Sequence, residues 1–388
     1  MAARFASSGM TAFLHTYERH SASLAQHGPL RQLPSSSHHW LADFSSNDYL
    51  SLSRHPQVVD AAAQALSRYG VGATGSRLLS GNLDLYEAFE ARIATDKHTD
   101  CALVLSSGYQ TNATVLAALI NAKVLGAEPL VFCDRLNHAS LHHAFKVADV
   151  KQIRFRHGSL AHLSELLNKH ADSTQPKFIV AESVFGMDGD CIDVPGLVEL
   201  ARQHDAFVYL DEAHATGVLG EHGYGLTANP GSHVDMAMGT FSKGLGGSGA
   251  YIACSRSVRD YLVTACTGFI YSTALSPVVI AAMHKAWELL PTLDAERAYL
   301  TAMSNDLRHR LQAMGFDTGT SSTHIIPISL GDEQRTLAAR DKLQAAGINV
   351  SAVRPPTVPP NTARLRMALC THHTPAHIDA LVAALKSV

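Results

Sequence analysis

The stretch that decides the fold is Thr240-Phe-Ser-Lys243-Gly-Leu-Gly-Gly-Ser-Gly-Ala250, in which one lysine lies among small residues. It follows the apolar run from Val234 to Met238, which predicts a strand that ends just before the lysine. A glycine-rich turn lets a planar group approach the backbone closely. An amine held there can form a Schiff base with an aldehyde if burial or a nearby cation lowers its pKa. For Lys243 alone, a surface lysine in a flexible loop is the better interpretation.

A second stretch upstream, Ala206-Phe-Val-Tyr-Leu-Asp211-Glu-Ala-His214, changes that interpretation. Its apolar part predicts a buried strand that ends in Asp211. A carboxylate at the end of a buried strand is costly unless it meets a positive partner, and a protonated pyridine nitrogen would be one. A cationic ring of this kind makes pyridoxal phosphate (PLP) an electron sink. Asp211, His214 and Lys243 together therefore predict a PLP site, although Asp211 alone could equally cap the next helix.

The order of elements predicts the fold class. From residue 101 onward, short apolar strands alternate with loops and helices, which predicts a mostly parallel sheet with helices on both faces. After residue 315 the pattern becomes α+β. We therefore expect an α/β protein with an N-terminal arm and helix (1–45), a large PLP-binding α/β domain (46–276) and a smaller C-terminal α+β domain (277–388).

Composition excludes several other classes of protein. The chain has 388 residues, which is more than one compact core usually holds, and a net charge of -3 without a basic stripe, which argues against nucleic-acid binding. No apolar run is long enough to cross a bilayer, and the first residues do not resemble a signal peptide, so we expect no membrane association and a cytoplasmic location. The six cysteines lack CxxC spacing and the 23 histidines are dispersed, which predicts buried free thiols and no metal site.

Motifs along nearly the whole chain carry a resemblance to a known family. They are Ser46-Asn47-Asp48-Tyr49-Leu50, Gly75-Ser-Arg-Leu-Leu-Ser-Gly81, Ser107-Gly-Tyr109, His138-Ala-Ser140, Met187-Asp-Gly-Asp190, Asp211-Glu-Ala-His214, Thr240-Phe-Ser-Lys243 and Tyr271-Ser-Thr273-Ala. On these motifs the chain resembles the α-oxoamine synthases, which are PLP-dependent enzymes with the fold-type I architecture of the aminotransferases.

The resemblance implies a role for each residue that faces the cofactor ring. Lys243 would hold PLP as a Schiff base, Asp211 would pair with the pyridine nitrogen, and His214 would pair with the ring hydroxyl. His138 would stack on the ring, contact the substrate and handle protons. These roles agree with the chemistry expected for a lysine, an aspartate and histidines around a pyridine ring.

The cofactor phosphate and the subunit arrangement are also implied by the resemblance. The backbone amides of Gly108 and Tyr109 and the hydroxyl of Thr240 would hold the phosphate, since a helix that starts after a small-residue loop offers free N–H groups. Ser272 and Thr273 would reach the phosphate of the neighbouring subunit. The resemblance therefore implies a homodimer with a shared active site.

The substrates follow from the resemblance as well. Arg366, with Asn47, would hold the amino-acid carboxylate, while Arg31 and Thr357 would face the acyl substrate. The run Arg354-Pro-Pro-Thr357-Val-Pro favours one branch of the family. In that branch L-alanine condenses with a pimeloyl thioester, carried on coenzyme A or on acyl carrier protein. The products are 8-amino-7-oxononanoate, CO₂ and a free thiol, in biotin biosynthesis.

The sequence leaves alternatives open, both for single residues and for the reaction. Arg366 lies in an alternating strand and Arg31 follows a helix, so both could be solvated; His138 could cap the helix after it, and Thr357 could only shape a turn. Glycine C-acetyltransferase, 5-aminolevulinate synthase and serine palmitoyltransferase share the core motifs. An aminotransferase and a non-catalytic subunit are more distant alternatives.

Two positions depart from the family pattern. Close relatives have a serine that contacts the cofactor just before the Met187-Asp-Gly-Asp run, and this chain has Gly186 there. We expect water or Ser183 to replace that contact. Tyr86 stands where many relatives have histidine, and we assign it no catalytic role.

Overall fold

Seven strands form the central sheet of the computed structural model, which describes residues 13–26, 30–31, 33 and 39–388. A short β1 (Ala42–Asp43) lies outside this sheet, whose strands are β2 (Cys101–Leu105), β3 (Leu130–Asp134), β4 (Gln152–Phe155), β5 (Lys177–Glu182), β6 (Ala206–Asp211), β7 (Met236–Thr240) and β8 (Ala250–Cys254). Their order across the sheet is β2-β8-β7-β6-β5-β3-β4. All neighbours pair in parallel except β8, which is antiparallel to both β2 and β7. The predicted α/β class with a mostly parallel sheet is confirmed.

Helices cover both faces of this sheet. The α-helices in the first 276 residues are α1 (Leu14–Gln26), α2 (Pro56–Tyr69), α3 (Asp84–Asp96), α4 (Gly108–Thr111), α5 (Ala117–Leu119), α6 (Ala122–Leu125), α7 (Ala139–Val147), α8 (Leu160–Lys169), α9 (Val194–Gln203), α10 (Arg256–Ala265) and α11 (Thr267–Ile270). Successive side chains of β5 alternate between two apolar clusters: Phe178 and Val180 belong to one, Ile179 and Ala181 to the other. This alternation is what a strand buried on both faces requires.

The C-terminal part has its own antiparallel sheet. After α12 (Pro277–Leu289), the elements of this part are α13 (Asp294–Ala313), β9 (Ile325–Gly331), α14 (Glu333–Ala345), β10 (Ile348–Asn349), β11 (Ser351–Val353), β12 (Ala363–Ala368) and α15 (Pro375–Leu385). β12 pairs with β11 on one side and with β9 on the other, while β10 pairs with β1. The predicted α+β character of the C-terminal part is thereby confirmed.

Some contacts cross the predicted boundary at residues 276 and 277. The helix α12 packs along α2, and its buried Trp287 shares an apolar cluster with Phe89 of α3. In the other direction, Phe44 and Tyr49 belong to the apolar core of the C-terminal part. The division into 1–45, 46–276 and 277–388 stays a prediction.

Two sequence-based expectations concern the thiols and the membrane. All six cysteines, each within the described residues, are unpaired. Four of them are buried as expected, and Cys101 is only partly buried. Cys191 is exposed because it lies in the loop after β5 and not in a strand of the sheet. No helix in the described ranges combines the length and the apolar character needed to cross a bilayer.

Candidate active site

Lys243 lies in the loop between β7 and β8, at the edge of the sheet where the parallel strands end. Its Nζ is 2.8 Å from Nε2 of His214. Burial lowers the pKa of Lys243 to about 8, although the nearby carboxylates of Asp211 and Glu182 act in the opposite direction. A substantial fraction of the amine is therefore neutral near physiological pH, which is the form that reacts with an aldehyde.

Asp211 ends β6 and is buried, with both carboxylate oxygens hydrogen-bonded to neutral groups. Oδ2 accepts from the side-chain amide of Asn112 at 2.7 Å, and Oδ1 accepts from the backbone N–H of Ala213 at 2.8 Å. Neither donor neutralises the negative charge, and a buried carboxylate is costly unless it is paired with a positive group. The Lys243 amine is near enough to interact with this carboxylate, but it is partly neutral. A protonated pyridine nitrogen fits that requirement.

A π-helical turn places the amide that orients Asp211. The helix α4 continues through this turn (Asn112–Leu116) into α5. The Asn112 oxygen accepts from the Tyr209 hydroxyl at 2.8 Å, which leaves the Asn112 NH₂ group to donate to Asp211. Single π-turns often occur at functional sites, and here the turn aims one side chain at the carboxylate.

The predicted phosphate site lies where α4 begins. Ser107 caps the helix, and the first amides of a helix, here those of Gly108 and Tyr109, have no intrahelical partner. A Cβ on Gly108 would lie 3.6 Å from the Thr240 hydroxyl, so the end of β7 adjoins this helix start. Thr240 Oγ1 donates to the Gly249 carbonyl at 2.9 Å and is 2.8 Å from the Ser242 hydroxyl. The helix amides, with the Lys243 amine and the Asp211 carboxylate, fit PLP.

A chain of hydrogen bonds joins Lys243 to the predicted carboxylate site. Nδ1 of His214 is 2.7 Å from the Tyr49 hydroxyl. That hydroxyl donates to the Asn47 side-chain oxygen at 3.1 Å. That oxygen also accepts from Nη2 of Arg366 at 3.1 Å. Burial lowers the pKa of His214 well below its usual value and raises the pKa of Tyr49, so both groups are uncharged within this chain.

Arg366 is buried on β12 and is not the solvated residue that its alternating strand allowed. Its Nε donates to the carbonyl of Gly186 at 2.6 Å. The neighbouring Arg364 forms a salt bridge with Asp188 in the same loop. The two arginines therefore attach the small sheet to residues 186–188, and Arg366 keeps a guanidinium face near Asn47 for a carboxylate.

His157 holds the other end of this loop. Its ring is 3.1 Å from Asp134 through Nδ1 and 3.0 Å from Asp190 through Nε2. Burial lowers the pKa of His157, but the hydrogen bonds to both carboxylates outweigh that effect and raise the pKa to about 10. The charged imidazole thus joins the end of β3 to the loop that contains Gly186.

The His157→Gln variant should lower the free energy of unfolding by about 2 kcal/mol at pH 6, the size expected for hydrogen bonds to charged groups. The folded pKa of about 10 lies above the ordinary 6.5. The stabilisation is therefore complete below pH 6.5 and disappears as the pH rises through 10. Denaturant melts at pH 6 and pH 9.5 test this, with His309→Gln, an exposed position of α13, as control. A pH-independent difference would contradict it.

His138 caps α7, as the simpler interpretation allowed. Its Nδ1 is 2.7 Å from the Ser140 hydroxyl, and its ring meets that of Tyr109 edge-on at a centroid distance of 6.3 Å. Its backbone N–H donates to Glu182 at 2.6 Å. Burial, followed by repulsion from Asp211, raises the pKa of Glu182 to about 8. The ring of His138 lies beside the predicted phosphate site, and its role toward a cofactor stays a prediction.

The remaining predicted residues lie at the surface. Arg31 Nη2 donates to the Thr357 hydroxyl at 3.2 Å, so these two are together although 326 positions separate them. Ser272 lies near the end of β2, with its hydroxyl 3.4 Å from that of Ser106. Thr273 follows it in the same segment, next to Tyr271, whose side chain is 82% exposed. A contact of Ser272 and Thr273 with a neighbouring subunit stays a prediction.

Four residues of the site were not assigned a role from the sequence: Tyr49, Asn112, Glu182 and His324. Tyr49 lies in the motif Ser46-Asn47-Asp48-Tyr49-Leu50, which could have indicated a role in the site. For Glu182 the sequence indicated only a position at the end of a strand. His324 lies against Tyr49 with a ring-centroid distance of 4.0 Å, and burial lowers its pKa to about 3. Among the described residues, neither ring nitrogen of His324 has a hydrogen-bond partner.

Comparison with known proteins agrees with this geometry. Residues 41–385 match the model of the family "Aminotransferase class I and II". The chain is 52% identical over 348 residues to an 8-amino-7-oxononanoate synthase of Gluconacetobacter diazotrophicus, covering 89% of this chain and 87% of that protein. It is 40% identical over 349 residues to the enzyme of that name from Trichlorobacter lovleyi, covering 89% and 88%.

A solved structure gives the same result for the fold. A serine palmitoyltransferase of S. paucimobilis with bound PLP matches with a TM-score of 0.87 at 26% identity, covering 98% of both chains. The family model spans most of the chain, and the relatives are similar over nearly nine-tenths of it. The chain therefore belongs to the class I and II aminotransferase family, and within it to the PLP-dependent α-oxoamine synthases of fold type I.

Proposed function

We propose that the protein catalyses the PLP-dependent condensation of L-alanine with a pimeloyl thioester to 8-amino-7-oxononanoate, CO₂ and a free thiol, in biotin biosynthesis. The observation that carries the proposal is the hydrogen-bond chain from Lys243 through His214, Tyr49 and Asn47 to Arg366. It joins a reactive amine to a carboxylate site, as an amino-acid substrate requires. Both relatives described above are named for this reaction.

Each residue of the site has a definable task in that reaction. When bound, PLP stabilises negative charge on the carbon next to the substrate amine. The Asp211 carboxylate favours a positive charge beside it, which strengthens this electron sink. The Lys243 amine, with its lowered pKa, can take the proton from that carbon at Nζ once the substrate amine has replaced it. Arg366 holds the substrate carboxylate.

Arg366 opens onto a cleft of about 570 Å³ that suits the acyl substrate. Arg31 and Thr357, which the resemblance assigns to the acyl substrate, both line this cleft and support that proposal. Its apolar lining residues are Leu30, Met187, Leu337, Ala352 and Val353, and its other cationic lining residues are Arg340 and Arg354. Apolar walls fit methylene groups and arginines fit an anion, which favours a dicarboxylic acyl chain over a palmitoyl chain.

We also propose a homodimer that works in the cytoplasm and takes its acyl group from coenzyme A or acyl carrier protein. The exposed apolar side chains of Leu79 (83%) and Tyr271 (82%) support a subunit contact near Ser272 and Thr273. A partner that covers them would remove apolar surface from water. The unpaired cysteines fit a reducing compartment.

Direct competition among substrates tests the assignment. We expect alanine with a pimeloyl thioester to give the highest kcat/KM among pairs of alanine, glycine or serine with acetyl, pimeloyl or palmitoyl thioesters. Glycine should be about 10–200-fold poorer than alanine, because one methyl group in an apolar pocket contributes about 1–3 kcal/mol. A preference for serine with palmitoyl, or glycine with acetyl, would instead assign the chain to another branch of the family.

A further inference from the structure

Gly186 occupies a position where the structure has no room for a side chain. A Cβ built on its backbone would lie 2.2 Å from Nε2 of His214, and 2.8 and 2.9 Å from two carbons of the same ring. These separations are well below van der Waals contact, which begins near 3.5 Å between carbon atoms. The space that a side chain at position 186 would fill therefore contains the imidazole ring of His214.

The ring of His214 cannot move away without losing a hydrogen bond, because both of its nitrogens are engaged. Nδ1 is 2.7 Å from the Tyr49 hydroxyl, and Nε2 is 2.8 Å from Lys243 Nζ. The ring is also buried, so no water replaces a lost partner cheaply. A side chain at position 186 would have to break one of these two contacts.

The hydrogen-bond chain also selects one tautomer of His214. The Asn47 oxygen only accepts, so the Tyr49 hydroxyl donates its proton to Asn47 and accepts from Nδ1–H of His214. Nε2 then carries a lone pair and accepts from the Lys243 amine. The ring thus orients the Lys243 amine by accepting a hydrogen bond from it, an arrangement that depends on the ring's present position.

We propose that Gly186 is a positioning residue, whose lack of a side chain lets His214 lie against Lys243 and orient its amine. The ring of His214 fills the space that a side chain at position 186 would take, and the replacement of the serine contact by water or Ser183 stays a prediction. The proposal rests on the proposed role of Lys243 and extends it to a residue that touches neither the substrate nor the reacting amine.

The Gly186→Ala variant should lower kcat about 10–100-fold and change KM for alanine little. A misplacement of about 1 Å in an active site can cost about 10²-fold in rate, and the ring must move by about that much to clear the new methyl group. The carbonyl of Gly186, which accepts from Arg366, is kept by the substitution. Gly72→Ala is the matched control, because a Cβ there meets nothing within 4 Å.

A double-mutant cycle separates this mechanism from a general packing defect. In a His214→Ala background the ring is gone, so adding Gly186→Ala should cost less than about twofold in kcat. The non-additivity is the signature of an effect that runs through His214. If the two losses add, or if Gly186→Ala alone retains wild-type kcat, the proposal is wrong.

A crystal structure of the Gly186→Ala apoprotein gives a readout that does not depend on turnover. We expect the His214 ring to be displaced and its Nε2 to be beyond hydrogen-bond distance of Lys243 Nζ. An undisplaced ring would overturn the inference, even if the wild-type enzyme condenses alanine as proposed. If Gly186→Ala alone fails to fold, the double variant decides: recovery of folding with His214→Ala supports the contact, and failure of both variants overturns it.

Discussion

The Lys243→Ala variant is expected to lose turnover completely, because no other amine within the described active site can do its work. The lysine is the residue whose burial lowers its pKa to about 8 at the end of β7. Alanine removes both the covalent attachment point and the base that takes the substrate proton. The purified variant should therefore show neither product nor any cofactor that borohydride attaches covalently to the protein.

The control is Lys169→Ala, at the exposed end of α8, which should keep normal turnover and covalent attachment. Mixed subunits extend the test to the proposed dimer. If Thr273→Ala alone impairs turnover, mixing it with Lys243→Ala should restore activity in some heterodimers, since one of their two sites has both groups intact. Repeated turnover by purified Lys243→Ala would show that the lysine is only a loop residue.

The Asp211→Asn variant should keep the fold but lose about 10²–10³ in kcat. Removing one preorganised electrostatic partner typically costs this much. Asparagine has the shape of aspartate and one oxygen to accept from the Ala213 N–H, but its NH₂ group cannot accept from Asn112, and it carries no charge to favour a protonated pyridine nitrogen. Steady-state kinetics give the loss, and thermal melts show that the fold persists.

Asp235→Asn is the matched control for that variant. Asp235 also lies beside β6 and accepts a hydrogen bond, from the Val208 N–H at 2.7 Å, but at the opposite end of the sheet from Lys243. Both substitutions remove a negative charge next to the same strand, but Asp235 is exposed whereas Asp211 is buried in the site, so we expect Asp235→Asn to keep normal kcat. Equal kcat values for Asp211→Asn and wild type would reduce Asp211 to a structural cap.

Much of this site could be predicted from sequence because its residues follow strands. Lys243 and Asp211 each come at the carboxyl end of an apolar run, and the ends of parallel strands meet at one edge of a sheet. Gly108 follows β2, which runs in the same direction as β7 because both strands are antiparallel to β8 between them, so the residues after β2 reach the same edge. An apolar run does not reveal which strands pair antiparallel, so the direction of β8 was not predicted.

The remaining site residues depend on contacts that the local pattern does not report. The Tyr49 hydroxyl meets His214 across 165 positions, and Arg366 meets the Gly186 carbonyl across 180. Arg366 looked like a solvated strand residue because alternation describes only its own strand, whereas it is buried against the loop that follows β5. Asn112 reaches Asp211 only through a π-helical turn, which leaves no mark in hydrophobic periodicity.

Alanine labelled with ¹³C in its carboxyl group, supplied together with a pimeloyl thioester, tests the proposed condensation directly. We expect one labelled CO₂ for each thiol released, and an unlabelled product with the mass of 8-amino-7-oxononanoate. Thiol release without CO₂, or a product that keeps the label, would indicate hydrolysis or simple acyl transfer. Conversion of alanine to labelled pyruvate would indicate an aminotransferase, and any of these results would contradict the proposed condensation.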